Sequence, residues 1–253
     1  MSEMIRVNQE GGVLEISFAR PEKKNAITNE MYRTICAEMQ RASGDKSVRV
    51  LLFSSEGKDF TAGNDLADFL AVSSGGEIPA AIDLVSELCG FEKPIVAAAP
   101  GLAVGIGATM LFHCDLVFVT ESTKLITPFV NLGLVPENAS SLLMPARIGY
   151  ARAFAMFALG EPMSGTEAHS IGVANKLLPA DELLPTARAV AAKLAAQPIG
   201  SVIATKRLMR DSEAIRARAD VESAIFGQRL SSDEAREAFS AFLERRKPDF
   251  SKF

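Results

Sequence analysis

Two short runs of the chain are apolar almost without interruption, Val50-Leu51-Leu52-Phe53 and Ile95-Val96-Ala97-Ala98-Ala99, and both run into turns that contain glycine. A strand with water on one face alternates apolar and polar residues; one that does not alternate is covered on both faces. Strands are expected over residues 13–18, after Gly11-Gly12, and over 48–53, 94–99 and 115–119. Helices are expected from Thr28, with Met31, Tyr32, Ile35, Cys36 and Met39 as the stripe, over residues 80–89, and from Gly107 through Thr109, Met110 and Leu111. Residues 73–79, Ser-Ser-Gly-Gly-Glu-Ile-Pro, read as a mobile connection. The alternation implies an α/β chain of repeated ββα or βα units around a doubly covered sheet. From Tyr150 onward the pattern is mainly helical: alanine-rich segments around 151–159 and 187–196, then 203–210, then an amphipathic stretch over 216–246 with Val221, Ile225, Phe239 and Phe242 on its apolar faces. This tail carries few catalytic residue types and is assigned to packing and oligomerisation.

The bulk properties exclude several classes. With 48% hydrophobic and 23% charged residues, the 253-residue chain has the composition of a globular protein with a large core, and no apolar run reaches membrane-spanning length. A net charge of −4 argues against a nucleic-acid surface. Cys36, Cys89 and Cys114 are widely spaced, as in a reducing compartment, and neither His113 nor His169 has ligand-spaced partners, so no metal is expected. The N-terminus lacks a secretory signal, and the final Ser251-Lys252-Phe253 only approximates a peroxisomal address; the expected location is cytoplasmic, or peroxisomal in a eukaryotic host.

Three segments bear on chemistry. In Ala62-Gly63-Asn64-Asp65-Leu66 the glycine frees the backbone for a turn that a ligand can approach, although an ordinary surface turn has the same composition. Within it Asp65 is expected to hydrogen-bond inside the turn. In Gly101-Leu102-Ala103-Val104-Gly105-Ile106-Gly107 the glycines lie between a strand and a helix, where free N–H groups and the positive helix end suit an anion. A dinucleotide fingerprint fails here, because its third glycine would fall at Met110 and no acid follows at the required distance. Finally, Glu137 is the sole ionisable side chain of residues 129–141. It is either a helix-start acid facing water or a proton shuttle in an apolar pocket.

Taken in order, these segments resemble the crotonase (enoyl-CoA hydratase/isomerase) superfamily across essentially the whole chain. The landmarks are Arg20-Pro21 through Asn25-Ala26, Ala62 to Leu66, Lys93 to Ala97, Gly101 to Gly105, Cys114-Asp115-Leu116 and Gly160-Glu161-Pro162. The resemblance implies a spiral of ββα units over residues 1–198 and a helical trimerisation region over 199–253, giving a homotrimer or a dimer of trimers. It implies an acyl-CoA thioester substrate held by backbone groups at Ala26, Ala62, Gly63, Asn64, Asp65 and Leu66, with coenzyme A belonging to the substrate and no separate cofactor. It also implies an oxyanion hole from the N–H groups of Asn64 and Ile106, which suits the charge that develops when a thioester loses an α-proton.

Hydratases of the superfamily use two glutamates, and the corresponding positions here are Thr109 and Phe129. The block from Thr127 to Ser141 is instead similar to Δ3,Δ2-enoyl-CoA isomerases of peroxisomal type, in which one glutamate follows the proline; that position is Glu137. Asn138-Ala139 departs from the Gly-Cys common in those relatives. One carboxylate suffices to take a proton from C2 and return it to C4 of a dienolate. The expected activity is isomerisation of a 3-enoyl-CoA to a 2-trans-enoyl-CoA, with a hydratase or other crotonase-type lyase, or a non-catalytic acyl-CoA-binding paralogue, as the alternatives.

Overall fold

A computed structural model describes residues 3–65 and 80–253; Leu66 and the 73–79 connection lie outside the described residues. The first element, β1 (Ile5–Glu10), was not expected. It pairs antiparallel with β2 (Val13–Phe18) in a register that closes on Glu10 opposite Val13, across the two-residue Gly11-Gly12 turn. Such a turn between alternating segments is a hairpin signal that the sequence carried.

From β2 the chain passes through α1 (Asn29–Gly44), capped by the Thr28 hydroxyl, to β3 (Val50–Ser55), then α2 (Ala81–Gly90) and β4 (Ile95–Ala99). β5 (Leu102–Val104) leads into a single turn of helix, α3 (Ile106–Thr109), and β6 (Leu116–Val119) is followed by β7 (Lys124–Ile126). The second half holds α4 (Ser140–Ile148), α5 (Tyr150–Phe154), β8 (Met163–Ser164), α6 (Gly165–Ser170), β9 (Lys176–Leu177) and α7 (Ala180–Ala195). It ends with α8 (Ile199–Met209), α9 (Ser212–Leu230) and α10 (Asp233–Leu243).

The strands form two sheets, and from β4 to β7 the chain alternates between them, β4 and β6 going to one and β5 and β7 to the other. The larger has the order β1-β2-β3-β4-β6-β9, parallel from β2 onward; the smaller has the order β5-β7-β8. The unalternating strands are covered on both sides. Leu51, Phe53, Ile95 and Ala97 face the main core with α1 and α2, while Val50, Leu52, Val96 and Ala98 pack under Leu183, Ala187 and Ala191 of α7. Fifteen buried or partly buried apolar residues thus form a second layer that a one-sided sheet would not need.

The tail differs from its expected form in one respect. Residues 216–246 are two helices, broken at Ser231-Ser232, where the Ser232 hydroxyl accepts the Ala235 N–H and starts α10. Hydroxyl capping competes with continuation of the preceding helix. Of the four residues assigned to the apolar face, Phe239 is buried, but Val221, Ile225 and Phe242 are exposed. The inward stripe of α9 is Ile215, Ala219 and Glu222, with Phe226 and Leu230 partly buried after it. None of the described helices is long and apolar enough to cross a membrane.

Candidate active site

The two glycine turns are joined edge to edge. Thr61 N–H donates to Leu102 O and Val104 N–H to Thr61 O, a parallel bridge that extends the smaller sheet beyond β5. On the other side Ile27 N–H donates to Gly63 O and Asp65 N–H to Ile27 O. The fit requires glycine at two points. Gly63 has φ +82°, and a Cβ there would lie 2.6 Å from Val104 O; a Cβ on Gly107 would lie 2.5 Å from Thr61 Cγ2. Asn25, fully buried, ties the assembly together: its amide donates to Glu56 O at 2.9 Å and Asp59 O at 2.8 Å and accepts the Arg20 N–H.

Among the described residues the N–H groups of Asn64 and Ile106 have no acceptor, whereas Gly105 N–H is used by Ile126 O and Ala62 N–H by Lys24 O. Both unused donors lie just past the ends of parallel sheet edges, the position where open α/β sheets gather ligands. The backbone of Ala26 is engaged on both sides, its N–H with Lys23 O and its carbonyl with Arg20 Nη1 at 3.0 Å. The Asp65 side chain accepts Arg20 Nη1 at 2.6 Å, a partner outside its own turn. The guanidinium thereby joins the Ala26 and Asp65 segments.

Glu137 reaches this space from the loop before α4. Thr109, at the end of α3, donates its hydroxyl to Glu137 Oε1 at 2.7 Å and in turn receives the Asn138 amide at 3.3 Å. Glu137 keeps some open surface, yet the protein packed around it deprives the carboxylate of water. That loss pushes its pKa up to about 8; the Thr109 hydrogen bond works in the opposite direction and the charge of Glu222 adds to the rise. Burial pushes Tyr32 well above its ordinary value, with the charge of Glu137 contributing, and its hydroxyl donates to Asn64 Oδ1 at 2.5 Å.

The loop is held in an uncommon conformation. Asn138 and Ala139 have φ of +62° and +53° although neither is glycine. His113 anchors the first of them: Arg210 donates to its Nδ1 at 2.7 Å, which leaves Nε2–H to donate to Asn138 O at 2.7 Å. Burial, with Arg210 second, pulls the His113 pKa down to about 3, so the ring is a neutral strut.

Other polar features lie elsewhere. A cavity of about 740 Å³ walled by Leu142, Leu143, Arg147, Lys206 and Met209 includes none of Glu137, Asn64 or Ile106. Its ammonium Lys206 is paired with Asp115 at 2.7 Å, which reads as structure. No cluster of three His, Cys, Asp or Glu side chains suited to a metal occurs among the described residues.

The structure therefore brings Glu137 together with Thr109 and Tyr32, and through Tyr32 with Asn64. Residues 8–252 match the model of the enoyl-CoA hydratase/isomerase family. The chain belongs to that family. Enoyl-CoA hydratase/isomerase relatives include enoyl-CoA delta isomerase 2 of Rattus norvegicus, 34% identical over 97% of this chain and 64% of the relative, which is the longer protein. They also include 2,3-dehydroadipyl-CoA hydratase of Escherichia coli, 29% identical over 99% of each chain. The crystal structure of an enoyl-CoA hydratase/isomerase from Pseudoalteromonas atlantica superposes with a TM-score of 0.93 at 36% identity, covering 98% of this chain and all of the other. The fold is the crotonase fold, and the relatives span isomerases and hydratases.

Sequence reasoning missed the support of this site more than its centre. Asn25, Tyr32 and His113 act through tertiary contacts to residues 31, 32 and 25 positions away in the chain. Glu222 did leave a trace, since it falls on the inward stripe of α9 between Ala219 and Phe226.

Proposed function

We propose that the protein shifts the double bond of a 3-enoyl-CoA to the 2-position. The observation that carries the reading is Glu137: a desolvated carboxylate with one oxygen held by Thr109, the other unassigned, beside two unused backbone donors. The thioester carbonyl would accept the N–H groups of Asn64 and Ile106. Glu137 would then remove a proton from C2, the electron pair would spread as a dienolate over the thioester oxygen, C2 and C4, and the same carboxyl group would return the proton at C4. Fixed donors aimed at that oxygen stabilise charge as it forms, and losing one typically costs about 2.7–4 kcal/mol of the barrier. A base whose pKa lies near the working pH serves both proton steps. The coenzyme A of the thioester would bind along Ala26 and Ala62 to Leu66, as the family resemblance implies.

Hydration is the second reading, favoured by the hydratase relative at 29% identity. Thr109 and Phe129 weigh against it, because neither side chain exchanges a proton as a carboxylate does. Offering 3-enoyl-CoA and 2-enoyl-CoA separately, with products identified by mass and retention, tests the choice. Isomerised product from the first, lost by about 10²–10⁴-fold in Glu137→Gln, is expected. Faster hydration of the second than isomerisation of the first would overturn the reading.

A further inference from the structure

The helix that follows Glu137 has no cap of its own. Ser140 N–H returns to Glu137 O at 3.1 Å, but at the next residue Ser141 N–H donates to Glu222 Oε1 at 2.8 Å, a carboxylate supplied by α9, 81 residues away. Glu222 is only 5% exposed, and its second oxygen, Oε2, is buried without a partner among the described residues. A half-satisfied carboxylate in a helix interior is costly, so its retention calls for compensation. The positive end of α4 provides one part, since a carboxylate is favoured at a helix N-terminus.

We propose that Glu222 is a positioning residue for Glu137, holding from α9 the turn that carries it and setting the strength of the base through its own buried charge. The inference rests on the reading of Glu137 as the group that moves the proton. Glu222 does not touch that proton; it acts through Ser141 and through space.

The groups that face this pair leave few others to respond to pH. Toward Glu137 they are Tyr32 of α1 and Thr109 of α3; toward Glu222 they are Cys89 of α2, Ser141 of α4 and the cation of Arg218 on its own helix. Tyr32 is raised well above 10 and Cys89 is pushed up to about 11 by burial, while His113, behind Asn138, lies near 3. Burial raises both glutamates above the ordinary carboxylate value, Glu137 to about 8. The Ser141 and Ala139 backbone N–H groups and the cation of Arg218 favour the Glu222 anion against the burial that raises it, and that negative charge opposes ionisation of Glu137.

Glu222→Gln separates charge from geometry, because the amide oxygen still accepts the Ser141 N–H. The Glu137 carboxylate is followed in full-length protein by infrared difference titration against Glu137→Gln, which needs no turnover. In Glu222→Gln it should titrate about one pH unit lower, as expected for removal of a like charge across a partly buried gap. The pH midpoint of kcat/KM for 3-enoyl-CoA should move with it, and Tm should hold. Glu222→Ala removes the cap as well and should lower both Tm and kcat. An unmoved Glu137 titration in folded Glu222→Gln would overturn the proposal. Should wild type fail to isomerise 3-enoyl-CoA, the functional reading falls, and the infrared titration alone decides the role of Glu222.

Discussion

Thr109 donates its hydroxyl to Glu137 Oε1 at 2.7 Å from a chain position where the family resemblance places a hydratase's glutamate. One proton-exchanging group has been replaced by one that holds another. The relay runs from the Asn138 amide through the Thr109 hydroxyl to the carboxylate, and donors in series strengthen each other in a water-poor site.

Thr109→Val keeps the shape and removes the donor. A hydrogen bond to a charged group contributes about 1.5–3 kcal/mol, so the anion of Glu137 should become harder to form. In wild type, kcat/KM for 3-enoyl-CoA should rise with pH through a midpoint near 8, where the carboxylate becomes available as base. In the variant that midpoint should move up by about one to two pH units. A profile that is flat around pH 8 in wild type, or unmoved in Thr109→Val, would contradict the assignment.

Stability should report the same group independently. The folded protein holds the Glu137 proton up to about 8, against an ordinary value of 4.5. Its contribution is therefore fully present below pH 4.5 and is lost as pH rises through 8. Glu137→Gln is neutral at every pH, so its Tm relative to wild type should climb between pH 5 and 9. Parallel Tm curves for the two proteins would show that the carboxylate is not desolvated.

Gly63 joins the two turns by close approach. Gly63→Ala combines φ +82° with a Cβ 2.6 Å from Val104 O, and the turn must shift or strain by roughly 1–3 kcal/mol. Since Asn64 follows directly, the loss of kcat should exceed the loss of global stability measured by denaturant unfolding. Unchanged kcat with an unchanged unfolding midpoint would mean that the approach is not needed.

How far the sequence reaches depends on how local the cause is. Strands β2, β3, β4 and β6 and helix α1 follow from apolar runs and a hydroxyl cap within a few residues, and their positions were legible to within two residues. The isolation of Glu137 in an apolar run was legible for the same reason. What surrounds it was not. Arg20, a partner of the Asp65 carboxylate, lies 45 residues away in the chain. Glu222 sits in a tail assigned to packing, because a single acid on an inward helical stripe is a weak signal until the stripe is seen to face α4.

The outer faces of the last helices lead to an expectation about assembly. Leu208 and Met209 at the end of α8 are 89% and 83% exposed, and Val221 and Ile225 of α9 and Phe242 and Leu243 of α10 are also open. Single exposed apolar residues are ordinary, but six on three consecutive helices are unlike the surface of a lone soluble chain. Together with the family resemblance they support a trimer or dimer of trimers, in which a closed cyclic interface covers these faces. Light scattering at micromolar concentration should give three or six times the 27.0 kDa chain mass. Val221→Glu with Ile225→Glu should shift that mass downward while the far-ultraviolet circular dichroism is kept, because both side chains point away from the chain's own core. A wild-type monomer would remove this expectation, and an unchanged mass in the double variant would place the interface on another face.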